Sequence, residues 1–98
     1  MTYVGYMTNS CIPDSVAESE THGLAAEVLS DATGAIAIAN AAGEVPAEPV
    51  HTALMVIFHS NLAAVATTQV WSEAVAAGTP LDKDNLVESA VRGAQLVA

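Results

Sequence analysis

The stretch from Pro46 to Gly78, PAEPVHTALMVIFHSNLAAVATTQVWSEAVAAG, constrains the chain more than any other. Two prolines open it, a glycine closes it, and it holds no lysine or arginine. Its middle, Ala53 to Ala66, is apolar almost all the way round, the pattern of a buried helix. Read as one helix over 47–77, it would be roughly 45 Å long. A chain of 98 residues buries only a modest fraction of its surface. A long helix that is apolar on both sides therefore implies neighbours beyond the chain itself.

The flanking sequence reads as helical too. Residues 1–12 carry no helical period and form a short arm. Pro13-Asp14-Ser15 is a helix start, with Ser15 and Glu18 spaced as a capping box. Leu24, Val28, Ala32, Ala35, Ile36 and Ala39 then recur near a 3.6-residue period, which predicts a first helix over 14–42. Gly43 and Pro46 end it, and a connection this short joins antiparallel neighbours. Gly78 and Pro80 stop the second helix. Thr79 and Asp82 begin a third over 81–97, striped by Leu86, Ala90, Ala94 and Val97, with Glu88 and Arg92 an i,i+4 pair. The expected fold is all-α: one helical domain, a long antiparallel hairpin plus a C-terminal helix and an N-terminal arm.

Charge narrows the partners. Eleven acids face two bases, Lys83 and Arg92, for a net charge of −9. Phosphate recognition needs clustered Lys or Arg, so nucleic acid is excluded as a partner. An anionic membrane repels such a chain, leaving membrane contact only to an assembled polymer. Residues 53–66 fall short of a membrane span and hold His59-Ser60-Asn61 near their centre. The N-terminus lacks the basic and apolar regions of a signal peptide, so a cytoplasmic protein is expected, or one exported without a cleaved signal.

No motif for catalysis, cofactor or metal stands out. His51 and His59 lie about 80° apart on a helix and form no metal pair. Glu48 with His51, and Glu18 with His22, are carboxylate–histidine pairs without the further ligands a bundle metal site needs. Cys11 is the one cysteine, and no basic residue adjoins it in sequence to activate a thiol. The chain reads as a non-enzyme with no cofactor.

Pro46-Ala47, Leu54, His59-Ser60 and the alanine-rich sequence reaching Gln69 resemble the killing-trait (RebB-like) structural proteins of R-bodies. That resemblance covers about a quarter of the chain. It implies a short acidic helical subunit that polymerises into ribbons able to unroll on acidification. Where that family is rich in glutamine after the helix, this chain has Val70-Trp71. The layout is also similar to the mycobacterial PE and W-x-G secreted helical hairpins, through AIAIANAAGEVPAE and the alanine-rich stretch that follows.

These readings converge on a pH-responsive structural subunit that assembles with itself and paralogous chains. Its interface would be Leu54, Met55, Val56, Ile57, Phe58, His59, Asn61, Leu62, Val65 and Trp71, with His59-Ser60-Asn61 fixing register. The alternative is a soluble hairpin that pairs with a partner chain.

Overall fold

A computed structural model of the chain describes residues 1–96. Aromatic and β-branched residues at its start suit a pleated surface, and they form β1 (Thr2–Tyr6). A loop, Met7–Ser10, leads into α1 (Cys11–Thr21), which buries Ile12, Val16 and Ser19 along one side. There follow β2 (Glu27–Gly34), β3 (Ile38–Asn40) and β4 (Gly43–Val45). Next, α2 (Ala47–Ile57) runs on as a π turn over Phe58–Leu62. Last come β5 (Ala64–Ala66), α3 (Thr68–Ala77) and α4 (Leu86–Leu96).

Strands β1, β2 and β5 make a parallel sheet in the order β1-β2-β5. Thr2 and Tyr3 lie opposite Glu27 and Val28, and Glu27–Leu29 lie opposite Ala64–Ala66. The β1–β2 register slips between Tyr3 and Gly5, where Gly5 takes φ 114°, a conformation open to a residue without Cβ. Parallel neighbours need crossover connections, and α1 and α2 lie in them. The core forms where they pack: Val16 and Val28 are fully buried, Phe58 is 1% exposed, and Ile12, Met55 and Ala63 join them.

The mixed α/β architecture overturns the all-α expectation at two places. Over 14–42 the predicted helix gives way after Thr21 to β2 and the antiparallel β3–β4 hairpin. Alanine satisfies a 3.6-residue period and a two-residue alternation equally well, so its abundance carried the helical reading. The discriminating residues are larger. Val28 and Leu29, both buried, are the continuous apolar pair of a central parallel strand, and Ile36 and Ile38 are spaced by two. The hairpin turns at Ala41-Ala42, where the Asn40 side chain accepts a hydrogen bond from the Ala42 N–H at 2.9 Å.

Over 47–77 the single helix is in fact helix, strand, helix. The change falls at His59-Ser60-Asn61, the step expected to set register between subunits. Ser60 Oγ donates to the Ile57 carbonyl at 2.6 Å, and Ala63 swings to φ −154°, ψ 153°. The His59 side chain then accepts the Val65 N–H at 3.0 Å, so it holds the outgoing strand rather than a neighbouring chain. The predicted third helix, 81–97, starts late: Asn85, not Thr79, takes the Glu88 N–H at 2.8 Å, and α4 opens at Leu86. Val97, part of that expectation, lies outside the described residues. Residues 1–12, expected as an arm, supply β1 and the head of α1.

Candidate active site

In open parallel sheets, ligands bind beyond the carboxyl ends of the strands. At the end of β1 the chain turns tightly through Met7–Ser10 and delivers Cys11 as the first residue of α1, with its side chain exposed. Every residue of that turn is held. The Ser10 and Ile12 N–H groups both donate to the Met7 carbonyl, at 3.2 and 3.5 Å. Thr8 is fully buried, and its N–H donates to the Gly34 carbonyl at the end of β2, 2.5 Å away. Asn9 clamps the following connection from both sides: Nδ2 donates to the Ile36 carbonyl at 3.3 Å, and Oδ1 accepts the Ile36 N–H at 3.4 Å. The Tyr6–Met7 peptide is cis.

His51 on α2 closes this network. Its Nε2 lies 2.9 Å from the Ser30 carbonyl oxygen, which can only accept, so Nε2 carries the proton. Nδ1 is then an acceptor, and the Thr8 hydroxyl donates to it at 2.9 Å. One imidazole therefore ties α2 and β2 to the turn that presents Cys11. The histidine is a positioning residue, with both ring nitrogens engaged.

The head of α1 is left open. No side chain caps it, and Pro13 at its third position has no N–H to offer. The Cys11 N–H has no backbone acceptor among the described residues. Unsatisfied N–H groups at a helix N-terminus, aligned with the helix dipole, stabilise a negative charge placed there. This arrangement can support an anionic sulfur or an oxyanion beside it.

The neighbouring strand end is built differently. Thr68, first residue of α3, gives its N–H and its hydroxyl to Asp31 Oδ1 at 2.8 and 2.7 Å. The Thr67 hydroxyl accepts the Val70 N–H. The Thr68 side-chain hydrogen bond, then the backbone one, hold the Asp31 carboxyl below its ordinary pKa.

The other candidates of the sequence lie elsewhere. His22 sits at the far end of α1, 3.1 Å from Glu18. Glu48 and His51 gather no further ligand, and no group of three metal-ligating side chains exists among the described residues. No helix there is long and apolar enough to cross a membrane. Of the expected interface residues, Met55 and Phe58 lie in the core, with Leu54, Leu62 and Val65 packed against it. Val56 and Ile57 are exposed, and His59 and Trp71 are half-buried. Asn61 is exposed, and its carbonyl accepts from Lys83 Nζ at 2.6 Å. Cys11 has no basic neighbour in sequence, so local sequence alone gives it no activating group. The signal that marks it is the order of elements: a β-type run, Thr-Asn-Ser, then Cys at a helix start.

Two solved structures are similar to this chain. A protein of Burkholderia xenovorans LB400, provisionally assigned as an isochorismatase, is 39% identical over 99% of the chain, with a TM-score of 0.94. An isochorismatase of Pseudomonas putida KT2440 is 26% identical over 70% of the chain, with a TM-score of 0.67. The chain spans about half of the first structure, 47%, and 36% of the second. No family model and no curated protein matches it.

The likeness points toward the isochorismatase-like hydrolases. It overturns the R-body resemblance and the secreted-hairpin alternative, whose helical architecture the chain does not have. It likewise overturns the reading as a polymer subunit and as a non-enzyme. The apolar surface that suggested polymerisation goes in large part into an intramolecular α/β core, where Phe58 and Met55 meet Val16 and Val28.

Proposed function

We propose that this chain is the nucleophile-bearing part of a cysteine-dependent hydrolase of the isochorismatase-like kind. One observation carries the reading: a lone exposed cysteine stands at the uncapped head of α1, beyond the carboxyl end of a parallel strand, on a turn clamped by Thr8, Asn9 and His51. The likeness to two hydrolase structures supports it.

The chemistry that suits this geometry is acyl transfer to water. The Cys11 sulfur, as thiolate, attacks the carbonyl carbon of a small ester or amide. The carbonyl oxygen takes negative charge next to the free Cys11 N–H, which stabilises it. The carbon–leaving-group bond breaks, the leaving group takes a proton from solvent water, and a thioester remains on Cys11. Water then adds, the carbon–sulfur bond breaks, and the carboxylate product leaves with the thiolate restored. The clamped turn keeps the sulfur in one place throughout, the intramolecular advantage of a fixed nucleophile.

The test is acylation by p-nitrophenyl acetate. The folded chain should release a burst of p-nitrophenol equal to its own concentration. Peptide mass spectrometry should place the acetyl group on Cys11, and unfolding in urea should slow the reaction about ten-fold, the span by which local electrostatics alters thiol reactivity. An unfolded chain that acylates as fast as the folded one would overturn the proposal.

A further inference from the structure

The end of the sheet away from Cys11 carries a cleft of its own. The π turn Phe58–Leu62 leads into β5 and so stands at the amino end of that strand, whereas Cys11 lies beyond the carboxyl end of β1 in the same parallel sheet. α4 packs against the π turn, and between them opens a cleft of about 490 Å³. Its walls are largely apolar: Met55, Val56, Val65 and Leu96 line it, with Val56 and Leu96 61% and 86% exposed. π turns are rare and frequently mark functional sites. A cavity of this size, with apolar walls and a few placed polar groups, is the usual form of a small-molecule site.

Gly93 sits in the interior of α4 and lines the cleft. Glycine there weakens the helix relative to alanine. Its φ is not positive, and a Cβ would meet no atom of another element within 4 Å, so neither backbone nor packing calls for glycine. What the missing side chain does is leave the cleft unfilled. His59 supplies a polar contact on the wall. Its Nδ1 accepts the Val65 N–H at 3.0 Å, so Nε2 carries the proton. Among the described residues no acceptor takes that proton, which leaves a donor free beside the apolar walls.

We propose that this cleft binds a small uncharged amphiphile, with an aryl or alkyl body on Met55, Val56, Val65 and Leu96 and one oxygen that accepts from His59 Nε2–H. Charge decides against the ionic alternatives. Arg92 on the cleft wall lies 3.0 Å from Asp84 and 3.9 Å from Glu88. Its charge is already matched, and a chain of net charge −9 repels a further anion. A cation would set its own donors against the His59 donor and leave that N–H without an acceptor. The cleft is separate from Cys11, so this binding site goes beyond the hydrolase reading and does not depend on it.

The probe is benzyl alcohol, titrated into the whole chain and followed by amide shifts in nuclear magnetic resonance. Saturable shifts in the millimolar range are expected, as suits so small a ligand, centred on the amides of Val56, His59, Ser89 and Gly93. Benzoate and benzylamine share its shape but carry opposite charges. Each should bind at least about ten-fold more weakly, the cost of one mismatched polar contact. Gly93→Leu fills the cleft while strengthening the helix, so binding should be lost and the unfolding midpoint should not fall. His59→Asn keeps an acceptor for the Val65 N–H and withdraws the Nε2 donor, and it should weaken benzyl alcohol binding about ten-fold. Cys11→Ser should bind as the parent chain does, which separates this outcome from any failure of catalysis. Shifts that never saturate, binding that survives Gly93→Leu, or benzoate or benzylamine held as tightly as the alcohol would each overturn the proposal.

Discussion

Two helices begin at the carboxyl ends of parallel strands in this molecule, and their heads are finished in opposite ways. At α3, Asp31 takes the Thr68 N–H and hydroxyl, and Thr67 takes the Val70 N–H. At α1 no side chain caps the helix, a proline stands within the first turn, and the first residue is an exposed cysteine. The first head is capped by the chain's own side chains, Asp31 and Thr67. The second is held through Thr8, Asn9 and His51, and its Ile12 and Asp14 N–H groups find backbone acceptors, but the Cys11 N–H beside the exposed thiol has none among the described residues. A helix head anchored yet uncapped is one kept open for something that arrives later.

Replacing the sulfur has the largest expected effect. Cys11→Ser should abolish the p-nitrophenol burst, while the thermal unfolding midpoint stays where it was, because the side chain is exposed. A burst that survives would place the chemistry at another residue. Breaking the clamp comes next. His51→Leu strands the buried Thr8 hydroxyl and the Ser30 carbonyl, at a cost of about 1–3 kcal/mol. In a domain of this size that lowers the midpoint by about 4–8 °C per kcal/mol. The acylation rate of the folded variant should fall along with it, and a drop in stability with unchanged acylation would show that the clamp does not position Cys11.

The third variant makes one head resemble the other. Ser10→Asp sets a carboxylate at the α1 N-terminus, where a capping anion stabilises a helix by about 0.3–1 kcal/mol. It should slow acylation of Cys11 several-fold by repelling the negative charge that develops beside it, and an unchanged rate would remove the helix head from the mechanism.

The smallest effect lies at α3. Its hydrogen bonds from Thr68 keep the Asp31 carboxyl below its ordinary pKa, so its contribution to stability is complete above that ordinary value. The contribution is lost as pH falls through the lowered value in the folded state. Asp31→Asn should flatten this acid limb of the stability curve without altering acylation. An acid limb identical in the variant would assign it to other carboxylates.

How much of this was legible in the sequence depends on which residues one asks. The stop of α3 at Gly78 was legible, because a glycine followed by proline two residues later leaves little choice, and Gly78 does sit at φ 70°. The Glu88–Arg92 pair could also be read, and it lies at 3.9 Å. The strands could not be read in the same way. β5 is Ala64-Val65-Ala66, three residues whose character is set by the β2 strand beside them and not by local propensity. The apolar run on either side looked continuous because a π turn joins helix to strand without a proline or glycine to announce it. At the site the difficulty was of another kind. No residue adjoining Cys11 in sequence activates it, whereas the structure gives the thiol a helix head from its own backbone and a clamp from His51 in α2.

The comparison of the two heads can be tested directly by putting the same nucleophile at both. In one variant Cys11 stays in place; in another, Cys11→Ser is combined with Thr68→Cys. The second-order rate of alkylation by iodoacetamide is measured for each, folded and in urea. If the open head of α1 is the reactive site, Cys11 in the folded chain should react about ten-fold faster than the cysteine at position 68, and the difference should vanish in urea. Equal rates in the folded proteins would contradict the central claim that α1 is held open for chemistry.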